Sequence, residues 1–200
     1  SASVFSFYTL LSRILGYLRD ILIAMFLGTS VYADAFFVAF RLPNTFRRLF
    51  AEGTFNAAFI PSYAEEKLKG ENSGKDFADN IFSLLLIFLI FLIFFVEIFT
   101  PFVVYLIAPG FYEDFEKFNL ATEFTRITFP FLIFVSLSSL LSGILNTNNK
   151  FAVAAAAPII LNVVLILSLL FSFYLNLNIA KSLSVGVTMA GIMQFIILIF

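Results

Sequence analysis

The sequence predicts an all-α integral membrane protein with six transmembrane helices, and three kinds of observation lead there. Hydrophobic residues make up 61% of the 200 positions and charged residues 12%, with a mean hydropathy of +1.01, whereas ordinary soluble domains carry about 25% charged residues. Long uncharged windows recur, each near the roughly 20 apolar residues that a helical crossing needs. Short polar clusters with turn chemistry separate them. With 30 phenylalanines and no tryptophan, Phe is a general apolar filler, and aromatic stripes say little about binding. The sequence has neither Cys nor His, which excludes disulfides, thiolate or imidazole metal ligands and His-based triads. No metal and no nucleic-acid partner is expected. A net charge of −1 is uninformative, because the placement of the charges matters more than their sum.

The first expected span, 3–27, carries Arg13, Arg19 and Asp20. Its Leu, Ile, Val and Phe residues supply about −4 to −8 kcal/mol of insertion energy, while three mid-depth charges cost about +8 to +10 kcal/mol. Neighbouring helices or water must therefore take up the charged side. The same charges argue against a cleaved signal peptide, whose apolar centre is uninterrupted. Gly28-Thr29-Ser30 closes the span. In the second, 33–63, Asp34, Arg41 and Arg48 recur every seven residues, and Pro43 removes a backbone hydrogen bond, which predicts a kink and a freed carbonyl. Gly53 is a second soft point. Arg48 and Glu52, at i and i+4, predict an ion pair with a structural role.

Residues 65–79 (EEKLKGENSGKDFAD) read as a polar loop. The third span, 80–108, is interrupted only by Glu97, which its position places near the far interface. Ala108-Pro109-Gly110 ends it, and Phe111, Phe115 and Phe118 then recur at helical spacing. That pattern fits a short interfacial helix and a solvated loop equally well. Spans 127–146, 151–175 and 184–200 complete the set, and Asn162 within the fifth is expected to hydrogen-bond to a neighbouring helix. Lys67, Lys69, Lys75 and Lys150 fall on one side and Lys117 and Lys181 on the other, which favours a cytoplasmic N-terminus. The chain begins without Met and stops at Phe200 inside an apolar run, so it is expected to be a fragment.

Function is written in the arginines. Arg13, Arg19, Arg41, Arg47 and Arg48 are five of the six in the chain, and they face only Asp20, Asp34 and Glu52 nearby. Five against three leaves a surplus of two positive charges, and charges held inside a membrane face a protein interior or a watery cavity. There, planar guanidinium groups attract anions, and phosphates fit their fork best. Arg13, Gly16 and Asp20 form one helical stripe with Arg19 on its flank, and Gly16 leaves that stripe open to a neighbour or a ligand. The competing readings are mutual neutralisation that locks helices together, and snorkelling to headgroups, for which Arg41 is the best candidate.

The blocks Ser12-Arg13-Ile14-Leu15-Gly16, Arg19-Asp20, Ala33-Asp34-Ala35-Phe36-Phe37-Val38-Ala39-Phe40, Leu42-Pro43-Asn44 and Arg47-Arg48-Leu49-Phe50-Ala51-Glu52-Gly53 resemble the N-terminal region of the MurJ/MviN family of lipid II flippases. Ala108-Pro109-Gly110-Phe111, Thr128-Phe129-Pro130, Ile144-Leu145-Asn146-Thr147 and Ala157-Pro158 extend the likeness over nearly the whole chain. The resemblance implies the multidrug/oligosaccharidyl-lipid/polysaccharide (MOP) exporter superfamily, with two six-helix lobes and two further helices in the bacterial cytoplasmic (inner) membrane. This chain would be the N-terminal lobe, its C-terminal lobe missing. Members are transporters, not enzymes, and serve peptidoglycan and cell-wall synthesis. They carry undecaprenyl-diphosphate-linked precursor to the outer leaflet by alternating access, coupled to membrane potential or a cation gradient and without a cofactor. By the same resemblance, family cavity arginines match Arg13, Arg19 and Arg47, and its acidic positions match Asp20 and Asp34. The implied partners are lipid II, membrane lipids and the missing lobe.

Competing functions remain. A drug or ion antiporter or an oligosaccharide-lipid flippase of the same superfamily would share the spans, though an antiporter has no need of surplus cavity arginine. A membrane glycosyltransferase would need a metal-binding or base-bearing loop that the sequence lacks. A structural scaffold predicts that neutralising Arg13 or Arg19 disturbs assembly but not transport.

Overall fold

Helices follow one another with short breaks in the computed structural model, which describes residues 2–48, 54–148 and 150–199. They are α1 (Ala2–Leu27), α2 (Val31–Arg47), α3 (Thr54–Lys69), α4 (Glu71–Ile98), α5 (Thr100–Ile107), α6 (Phe115–Thr128), α7 (Phe131–Thr147), α8 (Phe151–Tyr174) and α9 (Ile179–Ile199), with a 3-10 turn at Pro109–Glu113. Among the described residues there is no strand. The chain is a multi-pass, all-α membrane protein.

The turn chemistry explains the breaks. Gly28 takes a φ of 55° at the end of α1, a left-handed cap that costs glycine least. Two residues on, the Ser30 hydroxyl accepts from the Ala33 N–H at 3.2 Å and starts α2. Asp114 does the same for α6, accepting from the N–H groups of Glu116 and Lys117 at 3.1 Å.

Two sequence expectations need correction. The segment 65–79 is not a loop, since α3 runs to Lys69 and α4 begins at Glu71, with only Gly70 between them at a φ of 151°. Its charges lie mostly on the outer side of the helices, while Gly74 is buried so closely that a Cβ there would sit 3.1 Å from the Lys67 backbone. The segment around Phe115 and Phe118 is also more than a short interfacial helix. It opens α6, which continues to the break at Phe129-Pro130 with Ala121, Phe124, Thr125 and Thr128 buried and Glu123 and Arg126 exposed. In both places the charges mark one face of a helix: at 65–79 this replaces the expected loop, and around Phe115 and Phe118 it upholds the helical alternative but extends it.

Four segments have the length and composition of a crossing: Glu71–Ile98, Phe115–Thr147, Val153–Tyr174 and Ile179–Ile199. The remaining expected crossings fall on α1, which is long enough but carries three charges, and on α2 and α3, of 17 and 16 residues. Six crossings therefore do not follow from the helices by length and composition alone.

The core forms where α9 packs against α7 and α8 and α2 packs against α6. Phe36, Phe124, Phe129, Phe131, Leu165 and Leu183 are fully buried there. Proline places its own demands on this interior. Pro43 has no N–H for the carbonyl of Ala39, one turn earlier, and no water reaches that depth to replace it. The Thr128 hydroxyl, from α6, donates to that carbonyl at 3.1 Å. A related contact lies before Pro101, where the Thr100 hydroxyl is shared between the Val96 carbonyl at 2.8 Å and the Glu97 carbonyl, the one that Pro101 frees, at 3.0 Å. With its freed carbonyl satisfied, α2 stays helical through Pro43 to Arg47. Thr128→Val should therefore cost about 1–3 kcal/mol by stranding a buried acceptor, read as a lower unfolding temperature in detergent, while Thr128→Ser keeps the donor and most of the stability. A valine variant as stable as the parent would contradict this account.

Candidate functional site

The basic cluster is built on α1, and α8 shapes it. A glycine at position 16 opens a slot on α1, where a Cβ would meet the Asn162 amide at 3.5 Å. Asn162, 6% exposed on α8, fills that slot. Its Nδ2 donates to the Ser12 carbonyl at 2.9 Å and lies 3.5 Å from the Ser12 hydroxyl, and its Oδ1 accepts from Arg19 Nη1 at 2.8 Å. Asn162 thus bonds to a neighbouring helix, as its position inside an apolar span suggests.

Arg19 is held from a second direction by its sequence neighbour. Nε and Nη2 both donate to Asp20 Oδ1, at 2.9 and 2.7 Å. Of the five N–H donors in a guanidinium group, these bonds and the one to Asn162 engage three. One N–H on each terminal nitrogen is left over, and the Arg19 side chain remains 18% exposed. A charge-assisted bond to a phosphate oxygen is stronger than one between neutral groups. Asp20 itself is 66% exposed, so its second oxygen is open to solvent or to another partner.

The other residues singled out from the sequence are placed differently. Arg13 is exposed beside a shallow hollow of about 260 Å³ lined by Ser6, Thr9 and Leu10, and among the described residues it has no ion-pair partner. Arg41 is exposed one turn before Thr45, whose hydroxyl donates to its carbonyl at 2.8 Å. Arg48 is exposed and Pro43 buried. The Arg47 backbone closes α2, but its side chain, together with Glu52 and Gly53, lies outside the described residues, as does the expected Arg48–Glu52 pair. Asp34 is turned to another use: Lys117 of α6 donates to its Oδ2 at 2.7 Å. The pair is partly solvated, with side chains 28% and 48% exposed, a setting in which an ion pair contributes little stability.

Arg19, Asp20 and Gly16 are therefore brought together, with Asn162 and Ser12 as additional members. Asp34 belongs to a separate pair. Arg13, Asp20 and Arg41 face out of the helix bundle rather than into its core, so this bundle alone does not enclose them. The sequence reading missed the partner of Asp34, which lies 83 residues further along, because no local pattern links two such positions. It also missed the Thr128 contact, although the vacancy left by Pro43 was foreseeable.

A model of the family described as lipid II flippase MurJ matches residues 23–200. The chain belongs to this family. A probable lipid II flippase MurJ of Rickettsia prowazekii (strain Madrid E) is 44% identical over 197 residues, covering 98% of this chain and 38% of the relative. The lipid II flippase MurJ of Burkholderia cenocepacia is 41% identical over 193 residues, covering 95% of this chain and 37% of its own length. A solved structure of a lipid II flippase MurJ in an inward closed conformation superposes with a TM-score of 0.85 at 32% identity. That match covers 98% of this chain and 41% of the solved one. The chain thus spans well under half the length of these MurJ relatives, whose names describe transporters and not enzymes.

Proposed function

We propose that this chain is the N-terminal lobe of a lipid II flippase in the bacterial cytoplasmic membrane, with its N-terminus in the cytoplasm. In this reading the exposed face of α1 and the end of α2 form one wall of a central chamber, and a second lobe forms the other. Arg13, Arg19 and Arg47 hold the diphosphate of the lipid-linked precursor. Asp20 orients Arg19, and Asp34, held here by Lys117, exchanges partners as the lobes rock in alternating access, driven by membrane potential or a cation gradient. No bond in the substrate is broken.

The observation that carries this reading is the state of Arg19. A cation whose only task was to lock helices would be consumed by its acid, but Arg19 keeps two N–H groups and some exposure after bonding Asp20 and Asn162. Arg13, on the same helix, has a whole guanidinium group to offer. The family's name supplies the substrate class, and diphosphate chemistry matches what the arginines can bind.

Lysine substitution tests it. With the host's own flippase depleted, the full-length protein carrying Arg13→Lys, Arg19→Lys or Arg47→Lys should complement poorly at normal membrane levels, because lysine keeps the charge and loses the planar fork. Full complementation by all three would mean that only charge matters and would remove paired capture of the diphosphate.

A further inference from the structure

Asn162 does more than pin two helices together. Resting on the proposed diphosphate reading, we propose that it is a positioning residue that aims Arg19 at the substrate without neutralising it.

The chemistry at both ends of the side chain admits only one orientation. A guanidinium group can only donate and a backbone carbonyl can only accept, so the amide oxygen must face Arg19 and the amide nitrogen must face Ser12, as observed at 2.8 and 2.9 Å. Aspartate has no donor for the Ser12 carbonyl. Leucine satisfies neither group. Glutamine adds a methylene, which moves its amide off the two partners that asparagine reaches from the α8 backbone. Asparagine is the residue that meets the volume and both bonds at once.

Charge explains why a neutral acceptor suits the position. Asp20 already offsets Arg19, and its Oδ1 takes two of the five N–H groups. A carboxylate at position 162 would surround one cation with two anions and oppose an approaching phosphate. The neutral amide oxygen takes one Nη1 hydrogen and fixes the plane of the group, and so leaves one N–H on each terminal nitrogen for the ligand. Because the amide is buried and anchored to the α1 backbone, the plane is set before any ligand arrives, which lowers the ordering cost of binding.

The test is a double-mutant cycle on the full-length protein in detergent, with a short-chain polyprenyl diphosphate as probe and thermal unfolding measured in parallel. Asn162→Ala should weaken binding about tenfold, the equivalent of one hydrogen bond to a charged group. In an Arg19→Ala background the same change should add nothing further, because the residue it acts through is gone. Asn162→Asp keeps the side chain's volume and should weaken binding more than alanine does, and it provides the measurement if the alanine variant does not accumulate. An equal loss from Asn162→Ala with and without Arg19 would show a merely structural role and overturn the proposal. So would unchanged binding in Asn162→Ala or Asn162→Asp when Arg19→Ala binds weakly. Normal binding by Arg19→Ala itself would instead overturn the diphosphate reading on which the proposal rests.

Discussion

Arg13→Glu in the full-length protein is expected to weaken binding of a polyprenyl diphosphate by about ten- to a hundredfold or more and to abolish complementation, with membrane level and thermal stability unchanged. A charge-assisted hydrogen bond contributes about 1.5–3 kcal/mol, which is roughly one to two powers of ten in affinity, and charge reversal adds repulsion to that loss. Stability should not follow, because Arg13 is exposed and its hollow is lined by Ser6, Thr9 and Leu10, none of them charged. Arg19 offers a poorer test of the same idea, since its replacement also breaks bonds to Asp20 and Asn162. Paired binding and melting measurements on Arg13→Glu separate function from assembly. A variant that melts early while still binding the diphosphate would favour the scaffold reading.

The two halves of that expectation came from different levels of the molecule. Composition and uncharged windows made the class legible, because a bilayer demands long apolar helices and the sequence contains them. The arginines were legible as a cluster because mid-membrane charge is expensive wherever it occurs. Their partners were not, since pairing depends on which helices touch. Asn162 reaches Arg19 across 143 positions, and Lys117 reaches Asp34 across 83. Only the packing of α1 on α8 and of α2 on α6 brings those residues together.

Boundary errors had a common cause as well. The charges at 65–79 suggest a loop, and those after Pro109 fit a short interfacial helix or a loop equally, yet a helix that leaves the hydrocarbon can keep its hydrogen-bond ladder and carry its charges on one face. Local signals then decide where it stops, such as the lone Gly70 between α3 and α4, or the Asp114 carboxylate capping α6. Those signals are visible in the sequence, but they compete with a charge pattern that suggests a loop.

Small residues on α9 support the second large effect. Gly186→Leu should destabilise the lobe by about 3 kcal/mol or more, read as a fall in unfolding temperature or in the fraction folded in detergent. A Cβ at Gly186 would lie 2.4 Å from the Ser168 hydroxyl oxygen and 2.9 Å from Ser168 Cβ. The hydroxyl can rotate away, but the Cβ is fixed to α8, so the helices would have to separate. Five residues on, a Cβ at Gly191 would meet Phe131 of α7 at 2.6 Å, so α9 is gripped on two sides and cannot slide to relieve either. Glycine in a helix interior costs about 1 kcal/mol relative to alanine, and close approach of the backbones is what offsets it here, in the manner of small-residue interfaces between membrane helices. Gly186→Ala should fall between the parent and leucine, because gained helix propensity partly offsets the contact with Ser168. Gly110→Ala provides the control, since a Cβ there meets nothing within 4 Å. Equal melting of the leucine variant and this control would show that α8 and α9 are not packed as closely as the backbone positions require.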